Sequence, residues 1–509
     1  SGGAAGPGAD DGGAGGGDDG ASAGGAGGQG RSATGAGGEG MSGPGEQGAG
    51  GASSGAGGAF GEGGGDGNET ISDAFVDDVE MSALDFARTV LEVTWTQTMP
   101  AEQTWLEFTF EAGSVMTSPP KSGEAGSQRE VVLGVPGETD VTVRIVSSQD
   151  GTEYKTSNYV GTTGAVPSGM PTPEVVSYDA ELASDDRWLF GAVEDSDGGE
   201  ASRDVYYHTT SWLYIMDRRG RIVWYYADPA SNATSAFQRI ARDGEYIWIE
   251  KHQFAGSVTP EVLKMTLDRE YMEVVPLPGL GDCIDVTNDG GLLYDANFEL
   301  RERSRSGDDR FIWSCPEHFG GAFNCYTNTV NWNERDDTVL MSYPYEATVV
   351  EVERESGDLL GVYGAASGSY AFSPNTWEFE FQHFPNITSE GTLLLSSHMP
   401  GYGNTETPEA GQHAFMEFEL DRDNETLNYL WHYQEGEEWP MFKGMAMRLP
   451  NGNTLANYGT GGAIREITPD KRTAFHVKFD VEGGDDFFNK MVGHNVLIDD
   501  LYALNGGGP

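Results

Sequence analysis

The sequence predicts an all-β protein: a six-bladed β-propeller preceded by a small β-sandwich and a disordered glycine-rich arm. Three observations predict it. Short strands of alternating hydrophobicity run from about Met81 to the C-terminal end, separated by Gly, Pro and Asp turns. After Pro173 the pattern repeats, with inner turns RDGEYIWIE, NDGGLLYDA, RDDTVLMSY, SEGTLLLSS and NGNTLANYG. Glycine, 74 of 509 residues, is concentrated at the start of the chain.

Residues up to about Asn68 are almost entirely Gly, Ala, Ser, Asp and Glu. They offer no apolar face to repay the entropy of ordering, so 1–75 is assigned as a low-complexity arm. It reads as a spacer, or as an arm that orders against neighbouring copies. VLEVTWTQ, TWLEFTFEAG, REVVLGV and DVTVRIVSSQ then alternate with period two, which assigns 76–165 to a small antiparallel β-sandwich; it resembles a fibronectin type III or immunoglobulin-like module. GAVPSGMPTPE reads as a linker, 166–180.

Residues 181–509 form the repeating part. Six outer hairpins, from IMDRRGRIVWYY to EITPDKRTAFHVKF, imply six four-stranded blades. One blade cannot bury both faces alone, so neighbours stack radially around a channel. The last strand, around Asn495–Tyr502, is expected to pair with the strand near Trp188 and close the ring. The poorly patterned stretch from Gly364 to Glu378 leaves room for a degenerate seventh blade.

Composition narrows function. Lys and Arg total 30 against 81 Asp and Glu, a net charge of −51. Such a chain repels phosphate backbones and anionic lipid, which excludes nucleic acid as a partner. No apolar run approaches the roughly 20 residues of a membrane helix. Richness in Trp, Tyr, Asn and Gly with scarce lysine points to an extracellular, periplasmic or cell-surface location, while the sequons at Asn68, Asn232, Asn386 and Asn424 matter only where the source glycosylates. Cys315 and Cys325 flank the short loop SCPEHFGGAFNC. That spacing allows a disulfide without requiring one, and three reduced core cysteines are the alternative.

Carboxylates crowd VEDSDGGEASRD, where Asp195, Asp197 and Glu200, beside Glu194, are calcium candidates against the plainer reading of a solvated acidic loop. No other cofactor is called for. HExxH, CxxC, P-loop and GxSxG motifs are absent from the sequence. His252, His398, His413, His432, His476 and His494 show no metal-ligand spacing.

Three segments resemble the bacterial arylsulfotransferase family: GMAMRLPNGNTLANYGTGGAIREITPD, TNTVNWNERDDTVLMSY with the following ATVVEVERESGDLLGVYG, and FQHFPNITSEGTLLLSS. The resemblance spans about Trp188 to Tyr502. It implies a six-bladed propeller, secretion, and nucleotide-independent transfer of sulfuryl groups between phenols. A channel histidine would take the sulfuryl group, and further histidines and an arginine would hold its oxygens. A neutral imidazole is a competent nucleophile, and charge building on three oxygens and a departing phenolate needs fixed donors.

Carried over residue by residue, the set is incomplete. The Gln-His strand matches as Gln382 and His383, and the asparagine as Asn328. Tyr326 stands at one histidine's place, Pro344 at the arginine's, and Asp282 or Cys283 at another histidine's. His383 is therefore the candidate remnant nucleophile, with Asn328 and His318 as catalytic candidates and Tyr326 and Gln382 as binding candidates. The expected function is a secreted or surface propeller with a degenerate catalytic set. It would bind a small aromatic ligand or self-associate into a homo-oligomer or fibre through the arm or sandwich. The alternatives are an active aryl sulfotransferase and a calcium-dependent adhesin.

Overall fold

The computed structural model describes residues 68–111, 113–195, 210–227, 240–251, 261–374, 377–398, 413–434, 443–479 and 491–506. All of them belong to one compact unit, 66–509. Residues 1–67 of the glycine-rich arm lie outside the described residues.

The sandwich packs a three-stranded sheet, Val76–Ala83, Leu91–Gln97 and Gly126–Val132, against a sheet centred on Ala101–Phe110 and Asp140–Gln149. Leu91–Gln97 alternates buried and half-buried residues as its period-two sequence requires. Trp95, Leu106, Phe108, Val143 and Ile145 fill the core. One strand starts earlier than the sequence suggested: Asn68–Ile71 pairs in parallel with Thr152–Lys155, inside the span assigned to the arm.

The sandwich shares a continuous apolar core with the propeller, in which Leu133 and Val135 join Trp188, Leu501 and Tyr502. The buried Tyr502 hydroxyl donates to the Val131 carbonyl at 2.9 Å and accepts from the Leu133 N–H at 3.3 Å. Gly134, at φ +85°, leaves room for the Trp188 ring, whose atoms lie 2.8 Å from where a Cβ would sit.

Among the described residues the propeller has six blades. The second strands of blades three to six, Leu292–Ala296, Thr338–Tyr343, Leu393–His398 and Thr454–Tyr458, are buried at every residue, polar members such as Asp295, Ser342 and His398 included, because both faces are covered by neighbouring blades. The first strands of blades three to six are Leu280–Val286, Thr329–Asn333, Glu380–Ile387 and Gly444–Arg448. Each neighbours the next, so together they ring the axis. In blade one that position is filled from the other end of the chain: Val496–Ile498 pairs with Trp188–Asp195, the closure expected from the sequence.

Two expectations are corrected. The span assigned as linker contains Pro173–Tyr178, which adds a fifth, antiparallel strand to the edge of blade six. The stretch proposed for a seventh blade contributes only Ala371–Phe372, which extends blade five in parallel with Thr426–Tyr433. Mostly exposed segments such as PEVVSY suffice to pair an edge through backbone hydrogen bonds, whereas a blade needs apolar faces on several strands.

Candidate functional site

The Gln-His strand, Glu380–Ile387, is irregular. Its ladder with Leu393–His398 slips between Glu380 and His383 and again between His383 and Asn386. Phe381 and Phe384 take φ +46° and +54°, a region bulky side chains seldom adopt. Each bulge frees backbone groups that need partners. Blade four supplies them. Asn328 Nδ2 donates to the Gln382 carbonyl at 2.9 Å, and Asn331 Nδ2 to the Pro385 carbonyl at 2.5 Å. Thr329 Oγ1 accepts from the Phe384 N–H at 3.1 Å.

Gln382 completes the seam. It is fully buried, and its amide donates to Ser342 Oγ at 3.2 Å and to the carbonyls of Tyr343 at 3.2 Å and Thr348 at 2.9 Å. Gln382 and Asn328 thus spend their amide N–H groups holding blade five to blade four, while Gln382 Oε1 is buried without a hydrogen-bond partner among the described residues.

His383 sits between the two bulges, half-buried, opposite Ser396 in the ladder. Its ring lies 5.8 Å from that of His494, which also packs on Phe384 at 4.7 Å. On the next strands His398 and His413 face each other in register, 6.1 Å apart. Ser396 Oγ is 2.6 Å from His413 Nε2. Burial, reinforced by His398, pushes His413 well below the usual imidazole range, so it is neutral. Gly444 makes this contact fit, because a Cβ there would lie 1.9 Å from Ser396 Oγ and 3.0 Å from His413 Nε2.

Sequence reasoning passed over His398, His413 and His494. A signal existed: LLLSSH ends with a histidine where HAFMEF begins with one, and consecutive antiparallel strands bring such ends together.

The other predicted residues fall elsewhere. Pro344 is buried and opens a 3-10 turn, Pro344–Glu346. Cys283 is buried and outside the disulfide, and its backbone N–H donates to Asp295 Oδ1 at 3.2 Å. Cys315 and Cys325 are joined as a disulfide. His318 is exposed on the short helix Cys315–Phe319 inside that loop, its ring 4.6 Å from Phe319. Tyr326 is half-buried, its ring 5.5 Å from that of Tyr345. Of the calcium candidates, Asp195 ends the strand Trp188–Asp195, while Asp197 and Glu200 lie outside the described residues, as does His252. Among the described residues no cluster of three or more His, Cys, Asp or Glu has metal-holding geometry, and no helix is long and apolar enough to cross a membrane.

Three buried or half-buried arginines are committed to carboxylates: Arg218 to Glu466 at 3.2 Å, Arg354 to Glu302 at 2.5 Å, Arg448 to Glu417. Arg465 packs on Tyr458, whose ring lies 6.0 Å from His413, and donates to the Tyr433 hydroxyl at 3.1 Å. A separate cavity of about 270 Å³ opens between blades two and three, lined by Trp248, Lys264, Glu273, Leu292, Arg303 and Arg305. It includes none of the sequence-predicted residues.

No protein-family model and no curated protein matches the chain. Solved propeller structures are similar at low identity. Virginiamycin B lyase from Staphylococcus aureus is 11% identical over 48% of this chain and 72% of its own, with a TM-score of 0.32. A putative 6-phosphogluconolactonase from Bacteroides fragilis is 13% identical over 78% and 96%, with a TM-score of 0.34. The periplasmic gluconolactonase of Pseudomonas aeruginosa is 12% identical over 78% and 99%, with a TM-score of 0.37. Likeness at this distance is at most one of fold.

Proposed function

We propose that this chain is an arylsulfotransferase-like propeller whose catalytic set is depleted and which acts outside the cytoplasm as a binding module. One observation carries the reading. The two residues that match the family beside His383 do structural work: Asn328 and Gln382 satisfy backbone groups across the seam of blades four and five. The remaining places hold Tyr326, Pro344 and Asp282 or Cys283, and none of these supplies a cation. Losing one preorganised donor to a developing oxyanion costs ~3 kcal/mol, and several losses would leave transfer negligible.

A second reading, an active transferase, is favoured by the two histidine pairs, His383 with His494 and His398 with His413. Sulfuryl transfer from 4-nitrophenyl sulfate to phenol, followed with the full chain and with His383→Ala, separates the two. The binding-module reading expects no release of nitrophenol above the uncatalysed rate in either protein. Turnover that His383→Ala abolishes would establish the transferase instead.

A further inference from the structure

At the end of the first strands where blades four and five meet, three aromatic rings crowd together at the surface. Tyr326 precedes the first strand of blade four. Tyr345 lies in the 3-10 turn Pro344–Glu346, which Ala347 closes at φ +44°. Phe381 lies on the Gln-His strand. The rings of Tyr326 and Tyr345 are 5.5 Å apart at 51°, and those of Tyr345 and Phe381 are 6.1 Å apart at 86°. Near-perpendicular rings make a corner that offers more than one π-face. Tyr345 is 61% exposed and Phe381 42% exposed.

Burial does not account for this arrangement. A bulky residue in the left-handed region costs about 1–2 kcal/mol, which the edge-on contacts of the Phe381 ring with Tyr345 and with His398, 6.2 Å away at 82°, offset only in part. Phe381 is held there at φ +46° because its neighbours are fixed. The Glu380 N–H donates to Ser397 Oγ at 3.0 Å, and Gln382 is locked into blade four.

Charge selects the ligand. The segments carrying the rings, 324–328, 344–347 and 378–382, include Glu346, Glu378 and Glu380 and no lysine or arginine. The whole chain carries −51. A neutral planar ligand would gain from the rings alone, whereas a cation gains from the ring quadrupoles and from the surrounding field. The geometry points to a binding site for a small quaternary ammonium or methylated-amine cation at Tyr326, Tyr345 and Phe381. The site stands whether or not sulfuryl transfer occurs at His383.

The test uses the full chain, choline as the probe, and 3,3-dimethylbutan-1-ol as its uncharged isostere, with calorimetric titration. Choline is expected to bind saturably, and the isostere at least about tenfold more weakly. Tyr345→Ala, in an exposed turn, and Phe381→Leu, which keeps an apolar side chain, are each expected to weaken choline about fivefold to tenfold with the melting temperature retained. Tyr345→Phe keeps the ring and is expected to bind as the parent does. Absence of choline binding, equal binding of the isostere, or affinity unchanged in both Tyr345→Ala and Phe381→Leu would overturn the proposal.

Discussion

Between blades four and five the seam is filled by amide side chains. Asn328, Asn331 and Gln382 are each committed across it, and Gln382 is wholly buried. Between blades two and three the seam opens into a cavity of about 270 Å³ lined by Trp248, Lys264, Arg303 and Arg305. The first strand of blade three, Leu280–Val286, slips once, and there Asp295 of the same blade takes the Cys283 N–H, whereas Glu380–Ile387 slips twice and is held by amides from blade four. The contrast teaches that amides in a propeller seam mark where a bulge has freed backbone groups. They are therefore weak indicators of chemistry at the same positions.

Breaking the seams should rank them. The seam between blades six and one depends on Glu466, which accepts from the Ser184 N–H at 2.6 Å and from Asn453 Nδ2 at 2.8 Å and pairs with Arg218. Glu466→Ala strands the buried guanidinium and should cost about 3–5 kcal/mol, read from denaturant unfolding. Gln382→Ala should cost ~3 kcal/mol, since it leaves the Tyr343 and Thr348 carbonyls without their side-chain donor. Reduction, or Cys315→Ser, should cost about 2–3 kcal/mol by restoring freedom to a short loop in the unfolded chain.

A pH series sharpens the comparison at the far side of blade five. His413 is held below its unfolded value near 6.5 by burial, so unfolding takes up a proton below that pH. Its contribution is complete above about pH 6.5 and is lost progressively on acidification. The melting temperature should fall between about pH 7.5 and pH 5.5, and His413→Gln should flatten that fall. The smallest effect is expected at the open seam. Trp248 Nε1 is buried without a hydrogen-bond partner, so Trp248→Phe should change stability by less than about 1 kcal/mol in thermal unfolding.

Much of the fold was legible. Period-two strands and recurrent Asp-Gly turns exposed the blades, and the unmatched strand after Asn495 exposed the closure through Trp188. Edge additions were harder to see, because Pro173–Tyr178 lies among prolines and glycines and carries no apolar stripe to announce a fifth strand. Of the candidate site, the identities at Gln382, His383 and Asn328 were readable, but their roles were not. Two bulges decide that Gln382 is buried in a seam while His383, one residue on, is beside His494. Bulges arise from long-range packing and leave little trace in local pattern. The pairing of His398 with His413 was hidden for a different reason. Their separation in sequence is a loop length, and only strand register makes them neighbours.

The most direct test of the depleted catalytic set is the intact mass of the full chain after incubation with an aryl sulfate donor, followed by peptide mapping. An unmodified chain is the expected result. A stoichiometric sulfuryl adduct on His383, absent from His383→Ala, would contradict the account.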